Sequence, residues 1–114
     1  METLHAAELL AALGHESRLA IFRLLVEAGE EGLYANAIGE VLTMAPATLS
    51  FHLAHLSRVG LIQGQKEGRF IRYSTDYAAM DALIEFLTRN CCHGQPCLPQ
   101  SSATKNPTTK KARK

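Results

Sequence analysis

The sequence predicts a mainly α-helical domain that contains one β-hairpin, and three features lead to this fold class. Apolar residues recur at helical spacing in five separate segments of the chain. Glycines stand where several of these patterns stop, at Gly14, Gly29 and Gly60. One Gly- and charge-rich stretch, residues 61–75, instead alternates like two short strands joined by a turn.

The first three helical segments lie within residues 4–42. Leu9, Leu10 and Leu13 define the first segment. The second, "ESRLAIFRLLVEAG", has apolar residues in an i, i+3, i+6, i+7 pattern that is typical of an amphipathic helix. A shorter third helix is predicted over "LYANAIGEVL", beginning at Leu33.

The second half of the chain contains the fourth helix, the hairpin and a closing helix. Pro46 suits the first position of the fourth helix, where its missing N–H costs no hydrogen bond. The closing helix is predicted over "DYAAMDALIEFLTRN", with Asp76 as its N-cap. Two helices joined by a tight turn and followed by a hairpin form a winged helix-turn-helix, here with five helices and a two-stranded wing.

Length and composition predict one globular domain. The chain has 114 residues, of which 46% are apolar, and we expect residues 1–97 to fold as that domain. Residues 98–114 are rich in Ser, Thr, Pro and Lys, which predicts a disordered basic tail. The sequence has no signal-peptide pattern and no membrane-length apolar run, so we expect a cytoplasmic protein without a membrane partner.

Fixed charge is distributed unevenly, although the net charge is only +1. Residues 1–45 hold seven acidic and two basic side chains, whereas residues 46–75 hold one acidic and four basic side chains. No acid occurs between Thr43 and Gln65. Positive charge concentrated on an otherwise acidic body predicts a surface that faces a polyanion such as DNA. A solvated face without a partner is the alternative.

The fourth helix carries the residues with which such a surface would read DNA. Successive turns of about 100° per residue place Leu49, Leu53 and Leu56 on its buried side. The opposite side and its flanks are predicted to face the major groove, with Ala47, Thr48, Ser50, Phe51, His55 and Arg58. Basic residues of the hairpin are predicted to hold the adjacent phosphates, namely Lys66, Arg69 and Arg72. A protein-interaction module of the same fold is the alternative.

Successive blocks over residues 4–90 resemble the ArsR/SmtB family of winged-helix repressors. These blocks are "HESRLAIFRLL", "LYANAIGEVL", "PATLSFHLAHLSRVGLI" and "GRFIRYST". The resemblance implies a homodimer, paired largely through its first and last helices, that binds a palindromic operator in double-stranded DNA. It also places Ala47, Thr48, Ser50, Phe51 and His52 at the DNA-reading positions. Two residues depart from the pattern: Ala45 stands where the family usually has a capping Ser, and His52 turns toward the inner side of the helix, where it would be a packed, hydrogen-bonded histidine.

All three cysteines lie beyond the last predicted helix, at Cys91, Cys92 and Cys97. The other effector sites of this family need a thiol on the third helix or histidines on the last, and neither is present here. Three thiolates suit a soft ion that takes three ligands and keeps a lone pair, such as trivalent arsenic or antimony. The arrangement resembles the arsenite sensors of the family whose thiols follow the last helix. We therefore expect a repressor that binds its operator when metalloid-free and dissociates on binding arsenite or antimonite.

Alternative functions of the thiols stay open. His93 would complete a Cys3His site for zinc or cadmium, although consecutive ligands strain a tetrahedral geometry. A disulfide would make the protein a redox or sulfide sensor. Three unused cysteines are the remaining reading. We do not expect an enzyme, because no recognisable motif places an acid–base partner beside a nucleophilic cysteine.

Overall fold

A computed structural model describes residues 1–94, which form five α-helices and a small antiparallel sheet. The helices are α1 Thr3–Leu13, α2 Glu16–Ala28, α3 Ala35–Leu42, α4 Pro46–Val59 and α5 Tyr77–Thr88. The strands are β1 Leu33–Tyr34, β2 Ile62–Glu67 and β3 Phe70–Thr75, and a short 3-10 segment spans Cys91–Gly94. The predicted fold class is confirmed. Cys97 and the predicted tail, residues 98–114, lie outside the described residues.

Local sequence sets the ends of the helices. Pro46 occupies the first turn of α4, and Gly60 ends that helix in the left-handed conformation, with φ of 91°. The Asp76 carboxylate accepts a hydrogen bond from the Ala79 N–H at 3.1 Å, as expected for the N-cap of α5. The α2 N-terminus uses an imidazole instead, because the Ser17 N–H donates to Nδ1 of His15 at 3.2 Å.

The hydrophobic core lies where α1, α2, α3 and α4 meet the sheet. The predicted inner side of α4 is confirmed, since Leu49, Leu53 and Leu56 are at most 3% exposed. They pack with apolar residues of every other helix and of the start of β2; fully buried members include Leu9, Ile21, Leu25, Ile38 and Leu61. Burying a side chain of this kind stabilises the fold by about 1.5–3 kcal/mol, so this core fixes the orientation of α4.

Strand β1 is a difference from the sequence prediction, which began the third helix at Leu33. Leu33 and Tyr34 pair with Tyr73 and Arg72 of β3, so the sheet has the order β1-β3-β2 rather than two strands. Helix α3 begins only at Ala35. A two-residue strand has no periodicity of its own, and it exists because its backbone groups find partners in a segment far along the chain.

In the part of the chain that the structure describes, an apolar face on α1 and α5 remains exposed. Helix α5 packs on α1, yet Leu4 is 68% exposed, Ile84 is 52% exposed and Leu87 is 56% exposed. Leu10 is also exposed on α1. An apolar face of this kind marks a surface that another molecule covers. Within residues 1–94, no helix is long and apolar enough to cross a membrane.

Candidate nucleic-acid interface and thiol pair

The first two turns of α4 present a continuous uncharged surface to solvent. Ala47, Thr48, Ser50 and Phe51 are all exposed, and the Phe51 ring is 66% exposed. Leu49 anchors the same turn in the core. Because the buried leucines fix the rotation of the helix, four of the predicted reading residues project together on one side. Their small, hydroxyl and apolar groups are those that contact base edges and methyl groups in the major groove.

A cleft of about 680 Å³ separates the start of α4 from the wing, the hairpin formed by β2 and β3. Ser50 lines it on the helix side and Arg69 lines it on the wing side. The structure thereby brings together two residues that the sequence places nineteen positions apart. Phe70 and Ile71 also line the cleft and are exposed. The sequence predicted only that Phe70 and Ile71 belong to a strand. Which surface their side chains face depends on the register of the hairpin.

Arg72 is held by groups of its own domain. Its guanidinium forms an ion pair with Glu67, with Nη2 at 2.7 Å from the carboxylate, and it also donates to the Glu31 carbonyl. The Tyr34 hydroxyl donates to the same carboxylate at 2.6 Å. Hydrogen bonds from Arg72 and then from Tyr34 lower the pKa of Glu67. Arg72 therefore ties the wing to β1, whereas Lys66 and Arg69 remain exposed on the wing.

His55 and Arg58 lie at the other end of α4, beside α1. They line a groove with His5, Glu8 and Val59. Arg58 is exposed, and His55 is partly buried. Burial, followed by the nearby charges of Arg18 and Arg58, lowers the pKa of His55, so this histidine is neutral at physiological pH.

His52 differs from the other predicted reading residues because it is buried. It is 6% exposed and lies on the core side of α4, and its Nδ1 is 3.5 Å from Nη1 of Arg18. The expected DNA contact of His52 is therefore corrected to the packed role that the helical wheel also allowed. The physical reason is its spacing: His52 lies three residues after Leu49, so it shares the inward face.

The two described cysteines lie just beyond α5. The backbone turns sharply there, because Asn90, Cys92 and His93 all have left-handed φ values near 60°. This turn brings Sγ of Cys91 to 3.5 Å from Sγ of Cys92. Two thiolates bound to one centre at about 2.3 Å each can be at most about 4.6 Å apart. The pair already satisfies that condition. Within residues 1–94, no three His, Cys, Asp or Glu side chains converge as a metal site.

Comparison with known proteins identifies the class of this fold. A helix-turn-helix domain model matches residues 13–65. The chain is 33% identical over 87 residues to the transcriptional activator HlyU of Vibrio cholerae, covering 76% of this chain and 78% of HlyU. The structure of that HlyU superposes with a TM-score of 0.64, at 33% identity, over 81% of this chain and 99% of HlyU.

Two further relatives indicate the family to which the chain belongs. A protein of Halobacterium salinarum named as a candidate arsenical resistance operon repressor, ArsR, is 35% identical over 75 residues, covering 66% of this chain and 57% of that protein. The homodimeric winged helix-turn-helix DNA-binding domain Mb0332 of Mycobacterium bovis has 26% identity and a TM-score of 0.59, over 80% of this chain and 84% of that one. HlyU and ArsR are named as regulators of transcription, and Mb0332 is a winged helix-turn-helix DNA-binding domain. The chain belongs to the ArsR/SmtB family of winged-helix transcriptional regulators.

Proposed function

We propose that this protein is a cytoplasmic homodimeric repressor that binds operator DNA when metalloid-free and releases it when arsenite binds Cys91, Cys92 and Cys97. Cys97 lies outside the described residues. The observation that carries the effector proposal is the 3.5 Å separation of the first two sulfurs. This separation lies within the maximum of about 4.6 Å for two sulfurs on one centre, and soft thiolate ligands select a thiophilic centre over hard cations.

The proposed operator contacts follow from the exposed side of α4 and from the wing. Ala47, Thr48, Ser50 and Phe51 would meet base edges, and Lys66 and Arg69 would neutralise phosphates on either side of the groove. Arg58 and His55 would contact the DNA backbone near the C-terminal end of α4. Two such helices in a symmetric dimer would occupy successive major grooves, about 34 Å apart.

The proposed dimer interface is the uncovered apolar face of α1 and α5. Its members Leu4, Ile84 and Leu87 are each more than half exposed in the single chain. The homodimeric relative Mb0332 supports the same assembly here. Because a twofold interface uses the same patch on both subunits, α5 of one chain would pack against α1 and α5 of the other.

Cys91 and Cys92 would act on that interface because of their position in the chain. Only two residues separate the end of α5 at Thr88 from Cys91, and Leu87 is part of the apolar face. Arg89 fixes this junction, since it pairs with Glu85 at 2.7 Å and lies over the Phe86 ring. Drawing three thiolates around one arsenic would rearrange the left-handed turn at residues 90–93 and shift the end of α5. We expect DNA affinity to fall by about 5- to 150-fold, the usual range of coupling between two sites.

The test is fluorescence anisotropy of a duplex that the protein itself selects from a random DNA pool in the absence of arsenite. We expect tight binding that weakens steeply with salt, as phosphate contacts require, and release by one equivalent of arsenite per chain. Mass spectrometry of the reduced protein should show loss of three protons per bound arsenic. No duplex selected, or binding that is insensitive to salt, would indicate a protein-interaction module instead.

Single cysteine variants locate the site. Cys91→Ser, Cys92→Ser and Cys97→Ser should each bind the duplex normally and resist release by arsenite. His93→Ser is the matched control, since it keeps all three thiols but removes the fourth ligand of a zinc or cadmium site. If Cys92→Ser releases DNA at the wild-type arsenite concentration, the proposed site is wrong. Release by cadmium that His93→Ser abolishes would indicate the Cys3His alternative, and release by hydrogen peroxide alone would indicate thiol oxidation.

A further inference from the structure

A single arginine of α2 connects α1 to α4. Nε of Arg18 donates to the Ala12 carbonyl at 2.7 Å, in the last turn of α1. Nη1 of the same guanidinium lies 3.5 Å from Nδ1 of His52, on the buried side of α4. Arginine stays protonated in proteins and only donates, so Nδ1 of His52 must be its unprotonated, accepting nitrogen. The contact therefore exists only with a neutral imidazole.

The surroundings of His52 all oppose a positive charge on it. Burial is the largest cause that lowers its pKa, followed by His15, Arg18 and His55. The His15 ring lies 4.9 Å from the His52 ring, centroid to centroid, at the α2 N-cap. From α1 the nearest contribution is the Ala12 carbonyl, held by Arg18, while the α1 side chains His5 and Glu8 face His55 and Arg58 in the adjacent groove. No carboxylate is among the groups that act on His52 in the described chain.

We propose that Arg18 and His52 position the recognition helix against the proposed dimerisation helix, and that protonation of His52 below neutral pH breaks this link and weakens operator binding. The inference rests on the proposed function for its operator. It adds a regulatory input that is independent of the thiols. Arg18 and His52 are positioning residues, because they would act on DNA binding through a neighbour. His52 directly follows the exposed Phe51 on α4, and the two rings are 5.6 Å apart.

The geometry predicts that protonation of His52 lowers operator affinity. A protonated His52 presents an N–H toward the Arg18 guanidinium, so the two cations repel inside a mostly buried site. Relief of that repulsion separates His52 from Arg18, and this removes the contact that holds α4 against α1. His55 would act in the opposite direction, because its protonation adds positive charge next to the proposed phosphate contacts. A loss of affinity on acidification is therefore the opposite of the effect expected from His55.

The experiment measures operator affinity between pH 8 and pH 5.5 at constant ionic strength, without arsenite, for the wild type and two variants. We expect wild-type affinity to fall about five- to tenfold over this range, at the lower end of typical coupling. His52→Asn places an uncharged acceptor near the position of Nδ1 and should bind normally at pH 8 with no such fall. Arg18→Met removes the link itself, so its affinity at pH 8 should already be reduced to about the acidic wild-type level and should not fall further as the pH is lowered. His5→Asn, an exposed histidine on α1, is the matched control and should leave the profile unchanged.

Binding by all variants with one common pH profile would overturn the inference while leaving the proposed function intact. Absence of DNA binding at pH 8 would instead overturn the proposed function. NMR tests the link without DNA: in the wild type the backbone amides of α4 should shift with the same midpoint as the His52 imidazole, and this coupled shift should be lost in Arg18→Met. Titration of His52 with no movement of α4 amides would refute a positioning role even if His52→Asn fails to fold.

Discussion

The proposed dimer interface leads to a prediction whose magnitude follows from exposure in the single chain. Ile84 and Leu87 are 52% and 56% exposed, so roughly half of each side chain remains for a partner to cover. Replacing either with Ala removes three carbon atoms, and each buried carbon contributes about 0.8 kcal/mol. The loss is then about 1.3 kcal/mol per side chain. A symmetric dimer contains four of these side chains, which gives about 5 kcal/mol for the double variant Ile84→Ala, Leu87→Ala.

A loss of this size should raise the dimer dissociation constant by between three and four orders of magnitude, since about 1.4 kcal/mol corresponds to tenfold. Sedimentation equilibrium over a range of protein concentrations measures the constant directly. Val41→Ala is the matched control, because Val41 is 61% exposed and belongs to α3, which is not part of the proposed interface. If the dissociation constant of the double variant is within threefold of the wild-type value, the assignment of this face to the dimer interface is wrong.

Two further predictions concern the wing and the strand that supports it. Gly32→Ala should destabilise the fold by about 3 kcal/mol or more in urea unfolding, because φ is +69° and the added Cβ would lie 2.0 Å from the Tyr73 carbonyl oxygen. Gly68→Ala has a similar φ of +64° but no atom within 4 Å of the added Cβ, so it should cost only about 1–2 kcal/mol, and equal losses would contradict the role given to β1. Glu67→Gln should lower the thermal midpoint at pH 7. Hydrogen bonds from Arg72 and Tyr34 lower the pKa of Glu67 from 4.5, so the carboxylate stabilises the fold above that pH and less as the pH falls through its folded pKa. The difference between variant and wild type should therefore shrink below about pH 4.5, and a gap constant from pH 7 to pH 3 would exclude the ion pair as its cause.

The helices and their ends could be predicted because their causes are local. Apolar spacing identified the buried side of α4, and Asp76, Pro46 and Gly60 marked helix ends through their own backbone preferences. The exposed reading face followed from the same rotation. Strand β1 could not be predicted, because Leu33 and Tyr34 become a strand only by pairing with β3.

The same distinction between local and tertiary causes applies to the candidate site. The residue types of the thiol site and their position after α5 are properties of the sequence. The approach of two adjacent sulfurs to 3.5 Å depends on three left-handed residues, none of which is glycine. Likewise, only the packing of α2 on α4 placed Arg18 beside His52, and only the register of the hairpin directed Arg72 toward Glu67.

The sequence by itself determined the fold class, the inward face of α4 and the presence of a cysteine cluster after the last helix. These depend on periodicity and on residue chemistry, which act over one or two helical turns. The tertiary structure decided which basic residues remain exposed and which are paired within the domain. It also decided that His52 faces an arginine rather than solvent, because contacts between residues far apart in the chain form only when the core has packed.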